Sequence, residues 1–362
     1  LLESRGLGDV YKRQIGNNAG GAITTGSDNV VMGSNALAAT TTGQDNVAIG
    51  RRSLENNTAS NNTAVGFDSL RANTTGNNQV AVGSLALDAN TTGLYNTAVG
   101  SAALTSSTDG NNNVAIGYQA LDSNVSGSDS VAVGKGALQA FTGSSSVGGS
   151  VGVGRDALYS LTTGESHVAI GENAGYSVTT GNNTVAIGKL ALYANTGNDN
   201  TAVGHQTLQA NTTGTNNVAV GRDALNDNTT GDSNTAVGVY ALDASSGANE
   251  NTAMGYQSLT SCTTGEGHAA FGWRSLTACT TANDNTAFGH AAVRDTTTGA
   301  ENTAVGRAAL QVNTTGSNNT VLGSNALIAN TTASNNVAIG RRAMYGNTTG
   351  TANVAIGYQA LY

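Results

Sequence analysis

One pentapeptide recurs through the chain at a nearly fixed interval and limits the folds open to it. Its plainest copy is Asn-Thr-Ala-Val-Gly at Asn96 to Gly100, and 21 glycines from Gly16 to Gly357 close such copies. Consecutive closing glycines are 17 residues apart, except for two intervals of 16 and one of 20 between Gly134 and Gly154. A fixed period of this length is typical of stacked-repeat proteins, in which each unit contacts its neighbours.

The repeat favours short strands over helices. Counted from the closing glycine as position 0, it has Asn at −4, Thr or Val at −3, Ala at −2, a large apolar residue at −1, Leu at +4 and Asn-Thr-Thr-Gly at +7 to +10. Many Gly, Asn and Thr residues and the lack of a 3.6-residue apolar period disfavour helix. We expect an all-β parallel β-solenoid of about 21 coils with a 17-residue repeat, forming an elongated rod of about 100 Å.

Residue size suggests which side chains fill the core. The large residue at −1 and Leu at +4 are predicted to point inward, and the uniformly small Ala at −2 to point outward against a neighbouring chain. The predicted core in the first regular coils comprises Ile49, Leu54, Val65, Leu70, Val82, Leu87, Val99 and Leu104.

The first residues do not follow the repeat. Residues 1–14 begin without Met and contain Arg5, Lys12 and Arg13, so we interpret them as foreign or disordered. Residues 15–362 are predicted to be one continuous solenoid domain, truncated at both ends.

Composition excludes some classes of function. A net charge of −8 disfavours binding to nucleic acid, which depends on cationic side chains that neutralise phosphates. No apolar run approaches the roughly 20 residues of a membrane helix, so we expect no membrane insertion by this segment. The four histidines have no nucleophile or metal-ligand spacing around them, so neither an enzyme nor a cofactor is expected.

Position +7 is expected to lie inside the coil. It is usually Asn but also accepts Ile23, Phe141, Leu161 and Val178, and buried Asn side chains of stacked coils can bond along the axis as a ladder. An inward ladder is favoured over N-glycosylation of the Asn-Thr-Thr triplets. Cys262 and Cys279 also occupy +7, one repeat apart, and are expected to stack as a disulfide, a thiol pair or two core residues.

Basic and aromatic residues gather just after the closing glycine. Stacking of the coils is predicted to align positions +1 and +2 in one stripe, with further Tyr and Arg at +5. Because Tyr, Trp and Arg dominate binding hot spots, the stripe is the candidate ligand-contact surface, although +1 and +2 can also be an exposed, tolerant corner or pack on a neighbouring protomer. The stripe comprises Arg51, Arg52, Phe67, Tyr118, Lys135, Arg155, Lys189, Arg222, Tyr240, Tyr256, Trp273, Arg274, Arg307, Arg341, Arg342 and Tyr358.

The pentapeptides resemble a known repeat. The strings NVAIG at Asn46 to Gly50 and Asn113 to Gly117, and SVAVG at Ser130 to Gly134, are similar to the head repeat of YadA-like trimeric autotransporter adhesins, and similar repeats occur in phage tail-fibre proteins. The resemblance implies a left-handed β-roll, a homotrimer and an extracellular location on a cell or virion surface. The family unit is shorter, and the extra Ala-Leu and Asn-Thr-Thr-Gly segments are expected to widen the coil.

Two functions follow as hypotheses. The first is a structural and adhesive fibre segment, an adhesin head or tail-fibre shaft, that presents the Arg and aromatic stripe to a host-surface protein or glycan. The second is an ice-binding solenoid with Thr ladders. Thr at +8 and +9 forms adjacent pairs whose side chains face opposite ways, which disfavours a flat ice-binding face.

Overall fold

The computed structural model describes residues 13–143 and 149–361, and the chain divides into two compact units that meet between Asn182 and Asn183. The predicted off-pattern segment lies outside the described residues up to residue 12. Arg13 and Gln14 already belong to the first strand, so the described solenoid starts two residues before the predicted boundary. The first unit contains β1 (Arg13–Ile15), β2 (Val30–Met32), β3 (Val47–Ile49), β4 (Thr63–Val65), β5 (Val80–Val82), β6 (Thr97–Val99), β7 (Val114–Ile116), β8 (Val131–Val133), β9 (Val151–Val153) and β10 (Val168–Ile170).

The second unit repeats the same element eleven times. Its strands are β11 (Val185–Ile187), β12 (Thr201–Val203), β13 (Val218–Val220), β14 (Thr235–Val237), β15 (Thr252–Met254), β16 (Ala269–Phe271), β17 (Thr286–Phe288), β18 (Thr303–Val305), β19 (Thr320–Leu322), β20 (Val337–Ile339) and β21 (Val354–Ile356).

Within each unit, every strand pairs in parallel with the next strand in the chain. The pairing keeps the repeat in register, so that Val80 lies beside Thr97 and Ala81 beside Ala98. The predicted all-β parallel solenoid is therefore confirmed, and the part of the chain that the structure describes contains no helix. Among those residues there is accordingly no helix long and apolar enough to cross a membrane.

Backbone hydrogen bonds tie each coil to both neighbours. The Val80 N–H donates to the Asn96 carbonyl of the next coil at 2.9 Å, whereas the Gly83 N–H donates to the Val65 carbonyl of the previous coil at 2.8 Å. Outside the strand, Leu87 continues the pattern with a bond to Ala103 at 3.1 Å. Most of the backbone polar groups of a coil are thus satisfied by stacking, which fixes the register.

The strand faces are opposite to those predicted. Ala at −2 is completely buried, as at Ala48, Ala64 and Ala98, whereas the flanking −3 and −1 side chains are half-buried or exposed. The prediction that −1 belongs to the core was wrong, and the Ala face does not contact solvent or a neighbour. The four misassigned residues are Ile49, Val65, Val82 and Val99, of which Val82 is 37% exposed.

A narrow coil explains why the small residue is inside. Gly152 replaces Ala at −2 in one coil, and a Cβ built there would lie 3.3 Å from both the Leu138 Cγ atom and the Ala157 carbonyl oxygen. The gap between the strand and the Leu at +4 therefore admits only a small side chain, which is Ala in most coils and a buried Val at Val31 and Val321. Larger residues at −1 fit only on the outer face.

Leu at +4 supplies the main apolar bulk of the core. Leu54, Leu70, Leu87 and Leu104 have no exposed surface, as predicted. Each of them has a positive φ close to +52°, an unusual conformation for a residue with a branched side chain. The left-handed conformation costs each leucine about 1–2 kcal/mol, which burial of the side chain offsets.

Two ladders of buried asparagine run beside the apolar core. In the predicted ladder at +7, the Asn90 Nδ2 atom donates to Asn73 Oδ1 of the previous coil at 2.9 Å. A second ladder, at −4, was not predicted from the sequence: the Asn113 N–H donates to Asn96 Oδ1 at 2.9 Å. All four of these asparagines are completely buried.

The two ladders meet at one carbonyl in each coil. The Gly76 carbonyl at +10 accepts from Asn62 Nδ2 of the −4 ladder and from Asn73 Nδ2 of the +7 ladder, both at 2.9 Å. A Cβ on Gly76 would lie 2.4 Å from the Gly93 carbonyl oxygen of the next coil, so position +10 requires glycine or a local shift. Because the Asn amide nitrogens at +7 are buried and bonded, they are closed to glycosylation in the folded chain.

Two substitutions in β13 test the orientation of the strand. Ala219→Leu forces a larger side chain into the filled core and is expected to cost about 1–3 kcal/mol. Val220→Ala removes atoms from the outer face and is expected to change the stability of the single, unassociated chain by less than about 0.5 kcal/mol. Thermal unfolding followed by circular dichroism measures both, and a greater loss for Val220→Ala would contradict the assigned faces.

Candidate functional site

The predicted stripe forms a ridge at the corner that follows each strand. We define the ridge as the side chains at +1, +2 and +5 of each coil within a unit. Side chains at +1 are mostly exposed, with Phe67 at 42% and Tyr118 at 50%, whereas Arg52, Tyr240 and Arg274 at +2 are half-buried. Lys135, Arg155, Lys189, Arg307 and Arg341 are also exposed at +1.

Arginine and aromatic side chains of neighbouring coils contact each other on the ridge. The guanidinium carbon of Arg52 lies 5.4 Å from the centre of the Phe67 ring, and that of Arg51 lies 5.7 Å from it. Arg222 lies 4.8 Å from the Tyr240 ring centre, and its Nη2 donates to the Tyr240 hydroxyl at 2.8 Å. Such cation–π contacts are favourable and hold the long side chains against the surface.

The same arrangement continues along the second unit. The Tyr240 and Tyr256 rings meet edge to face at 6.4 Å, and Trp273 stacks on His290 at 4.5 Å. Arg274 lies 5.2 Å from the Trp273 ring centre. Near the last coils, Arg341 contacts Tyr358 at 5.9 Å and Arg342 contacts Tyr345 at 5.4 Å.

Acidic residues neutralise many of the ridge arginines. Arg52 pairs with Asp68 of the next coil, with Nε and Oδ1 2.8 Å apart, and Arg155 pairs with Glu172. Arg71 at +5 pairs with Asp88 at 3.0 Å. The ridge is therefore a mixed polar and aromatic surface, which does not favour a polyanionic partner.

Side chains at +5 lie on the same ridge as those at +1 and +2 and contact one another there. Tyr159 and Tyr176 stack in parallel with ring centres 5.1 Å apart. With Tyr118 and Lys135 they line a recess on the first unit. The sequence placed these two tyrosines at +5 beside the predicted stripe, but the set of predicted contact residues did not include them.

Cys262 and Cys279 are stacked free thiols, both completely buried. Together with His268 they form the one cluster of potential metal ligands found among the described residues, with the three ligand atoms within 4.8 Å of one another. A hydrogen bond from the Cys279 thiol lowers the pKa of Cys262, and the same bond together with burial raises the pKa of Cys279. Two thiols and an imidazole are a ligand set suited to a thiophilic ion.

The hydrogen bonds of His268 argue against such an ion. Its Nδ1 accepts the Asn285 N–H at 3.1 Å, so the ring proton is on Nε2, which donates to the Ala282 carbonyl at 2.7 Å. His268 thus reproduces both bonds of a −4 asparagine, and no nitrogen lone pair is free for a metal. The cluster fits best as three substitutions within the two asparagine ladders.

Two ridge carboxylates at +5, one on each unit, have raised pKa values. Burial, followed by the charges of Asp227 and Asp223, raises the pKa of Asp243 to about 6. On the first unit, burial likewise raises the pKa of Asp122. Carboxylates at +5 are therefore partly withdrawn from water by the crowded ridge.

No protein-family model matches the chain, and no curated protein matches it.

The raised pKa of Asp243 predicts a pH dependence of stability. Because the folded-state pKa of about 6 exceeds the ordinary value of 3.8, the folded state binds the proton more tightly, and this contribution is lost as pH rises through about 6. Asp243→Asn is expected to raise stability at pH 7 and to flatten its change between about pH 4 and 7. Denaturant midpoints followed by the fluorescence of Trp273 measure this, with the exposed Asp284→Asn as the control. An unchanged pH profile in Asp243→Asn would contradict the assignment.

Proposed function

We propose that the chain is a segment of an extracellular fibre, such as an adhesin head or a tail-fibre shaft, that assembles as a homotrimer. In this proposal the outer strand face is covered by other copies of the chain, and the ridge contacts a host-surface protein or glycan. The number of copies rests on the resemblance to YadA-like heads.

The observation that carries the proposal is the composition of the outer strand face. From β2 to β21, positions −3 and −1 contain only Val, Thr, Ala, Ile, Met, Phe and Leu, without a charged residue. Many of these side chains are substantially exposed, including Met32 at 44%, Ile116 at 40%, Phe288 at 55% and Leu322 at 49%. Within each unit, an exposed and mainly apolar surface of this kind marks an interaction site, and the repeat makes the same surface available on every copy.

The ridge supports partner contact because its chemistry differs from that of the strand face. It contains nearly all the basic and many of the aromatic side chains of the repeat region. Arg, Tyr and Trp are enriched at binding hot spots, and their mutual contacts reduce the entropy lost on binding.

Ice binding is the second candidate, and one observation favours it. Thr at −3 faces outward in consecutive coils at Thr286, Thr303 and Thr320. By contrast, the hydroxyl groups at +8 of the predicted Thr ladders donate to backbone carbonyls of the next coil. The Thr74 hydroxyl, for example, donates to the Thr91 carbonyl at 2.9 Å. Thermal hysteresis by a monomeric chain would favour ice binding over the fibre.

The assembly is tested by charging the outer strand face in separated coils. Val203→Glu, Val237→Glu and Val305→Glu combined place carboxylates where the proposal buries apolar side chains. We expect the wild type to have three times the 36.0 kDa mass of one chain in light scattering and the triple variant to have the mass of one chain.

The matched control adds the same charge elsewhere. Thr213, Thr264 and Thr298 are exposed at +9, and their combined substitution by Glu should leave the trimer intact. Circular dichroism checks that both variants remain folded. A wild-type chain that stays monomeric at high concentration would refute the proposed assembly.

A further inference from the structure

A recess on the ridge of the first unit lies beside Gly136. Its volume is about 300 Å³, and its lining side chains come from +1, +2 and +5 of successive coils. Gly136 is the one glycine that the repeat has at +2. A Cβ on Gly136 would lie 2.4 Å from Asp156 Oδ1 and 3.5 Å from Tyr159 Cδ2, and both of these residues line the recess. Because Gly136 has no side chain, Asp156 and Tyr159 pack against its backbone at the edge of the recess.

Aromatic rings form one part of the lining. Tyr159 and Tyr176 stack in parallel, with 2° between their ring planes, and Tyr118 is half exposed. The negative face of an aromatic ring attracts groups with a partial positive charge, including the C–H bonds on one face of a sugar ring.

Hydrogen-bonding groups form the rest of the lining. Gln119 and Gln139 offer amides that both donate and accept, Asp156 offers a carboxylate and Lys135 an ammonium group. Among the described residues, no aliphatic side chain lines the recess, which disfavours an apolar ligand. A single ammonium beside a carboxylate also gives no net attraction for an anion.

We propose that this recess is a binding subsite for one or two neutral sugar residues of a surface glycan. Hydroxyl groups donate and accept in turn, as the amides and the carboxylate require, while the tyrosines contact the C–H face of the ring. The volume is at the lower end of the range of about 300–1,000 Å³ for small-molecule sites, which suits one or two pyranose rings. The inference rests on the proposed display of the ridge and names the class of ligand for one part of it.

Saturation-transfer NMR on the full chain tests the subsite. The probes are methyl glycosides of neutral hexoses and N-acetylhexosamines, with N-acetylneuraminic acid as the acidic comparison. We expect saturation of the ring protons of at least one neutral glycoside. Binding of the acidic sugar alone, or of none of these sugars, would overturn the inference.

Three variants locate the binding. Gly136→Asn places a side chain against Asp156 of the lining and displaces it, using a residue that the repeat already carries at +2 with positive φ, as at Asn173, and is expected to weaken binding at least about tenfold. Tyr159→Ala removes part of the aromatic lining with the same expected effect. Tyr95→Ala removes an exposed tyrosine of the same unit that lies at +12, outside the ridge, and should leave affinity unchanged. Equal affinity in Gly136→Asn and the wild type would overturn the inference. Light-scattering mass, measured on the same samples, reports separately on the proposed assembly.

Discussion

The paired asparagine ladders are the interaction on which the rest of this solenoid depends. Ladder amides donate to a carbonyl at +10, and in many coils the side-chain oxygen accepts from the next coil, so the bonds run both within and between coils. Asn90 and Asn330 are exceptions, because their Oδ1 atoms are buried without a hydrogen-bond partner. Buried amides without partners would be costly, and any shift of one coil would break two ladders together. The repeat of 17 residues is thereby tied to a single register.

This polar interior determines which side chains face outward. With asparagine occupying part of a narrow coil, the space beneath the strand accepts a small side chain, Ala in most coils and Val in two, and the leucine at +4 fills the remainder. The larger residues at −1 are consequently displaced to the outer face. A chain with so little internal apolar volume gains stability if that face is covered, which links the packing of one coil to the proposed association of chains.

The period, the short strands, the parallel register and the burial of Leu54 and Asn90 could be predicted, because each follows from repetition or from a position that tolerates apolar replacements. The faces of the strand could not. Size suggested that Val99 is internal and Ala98 external, and only the distance across the coil shows the reverse. The role of His268 could not be predicted either, because only the geometry of its two hydrogen bonds shows that it replaces a ladder asparagine. Of the ridge, the alignment of +1 and +2 was predictable, whereas the recess depends on how side chains of successive coils converge beside Gly136.

Hydrogen exchange around one ladder asparagine tests the central claim most directly. Asn211 donates to Asn195 Oδ1 at 2.6 Å and to the Gly214 carbonyl at 3.0 Å, and it accepts from Asn228 at 2.7 Å. Asn211→Ala leaves buried partners unsatisfied at a cost of about 1–3 kcal/mol, so backbone amides from Asn195 to Asn228 should exchange roughly five- to a hundredfold faster, while the exposed Thr213→Ala changes little. Equal exchange in the two variants would contradict the ladders as the basis of the fold.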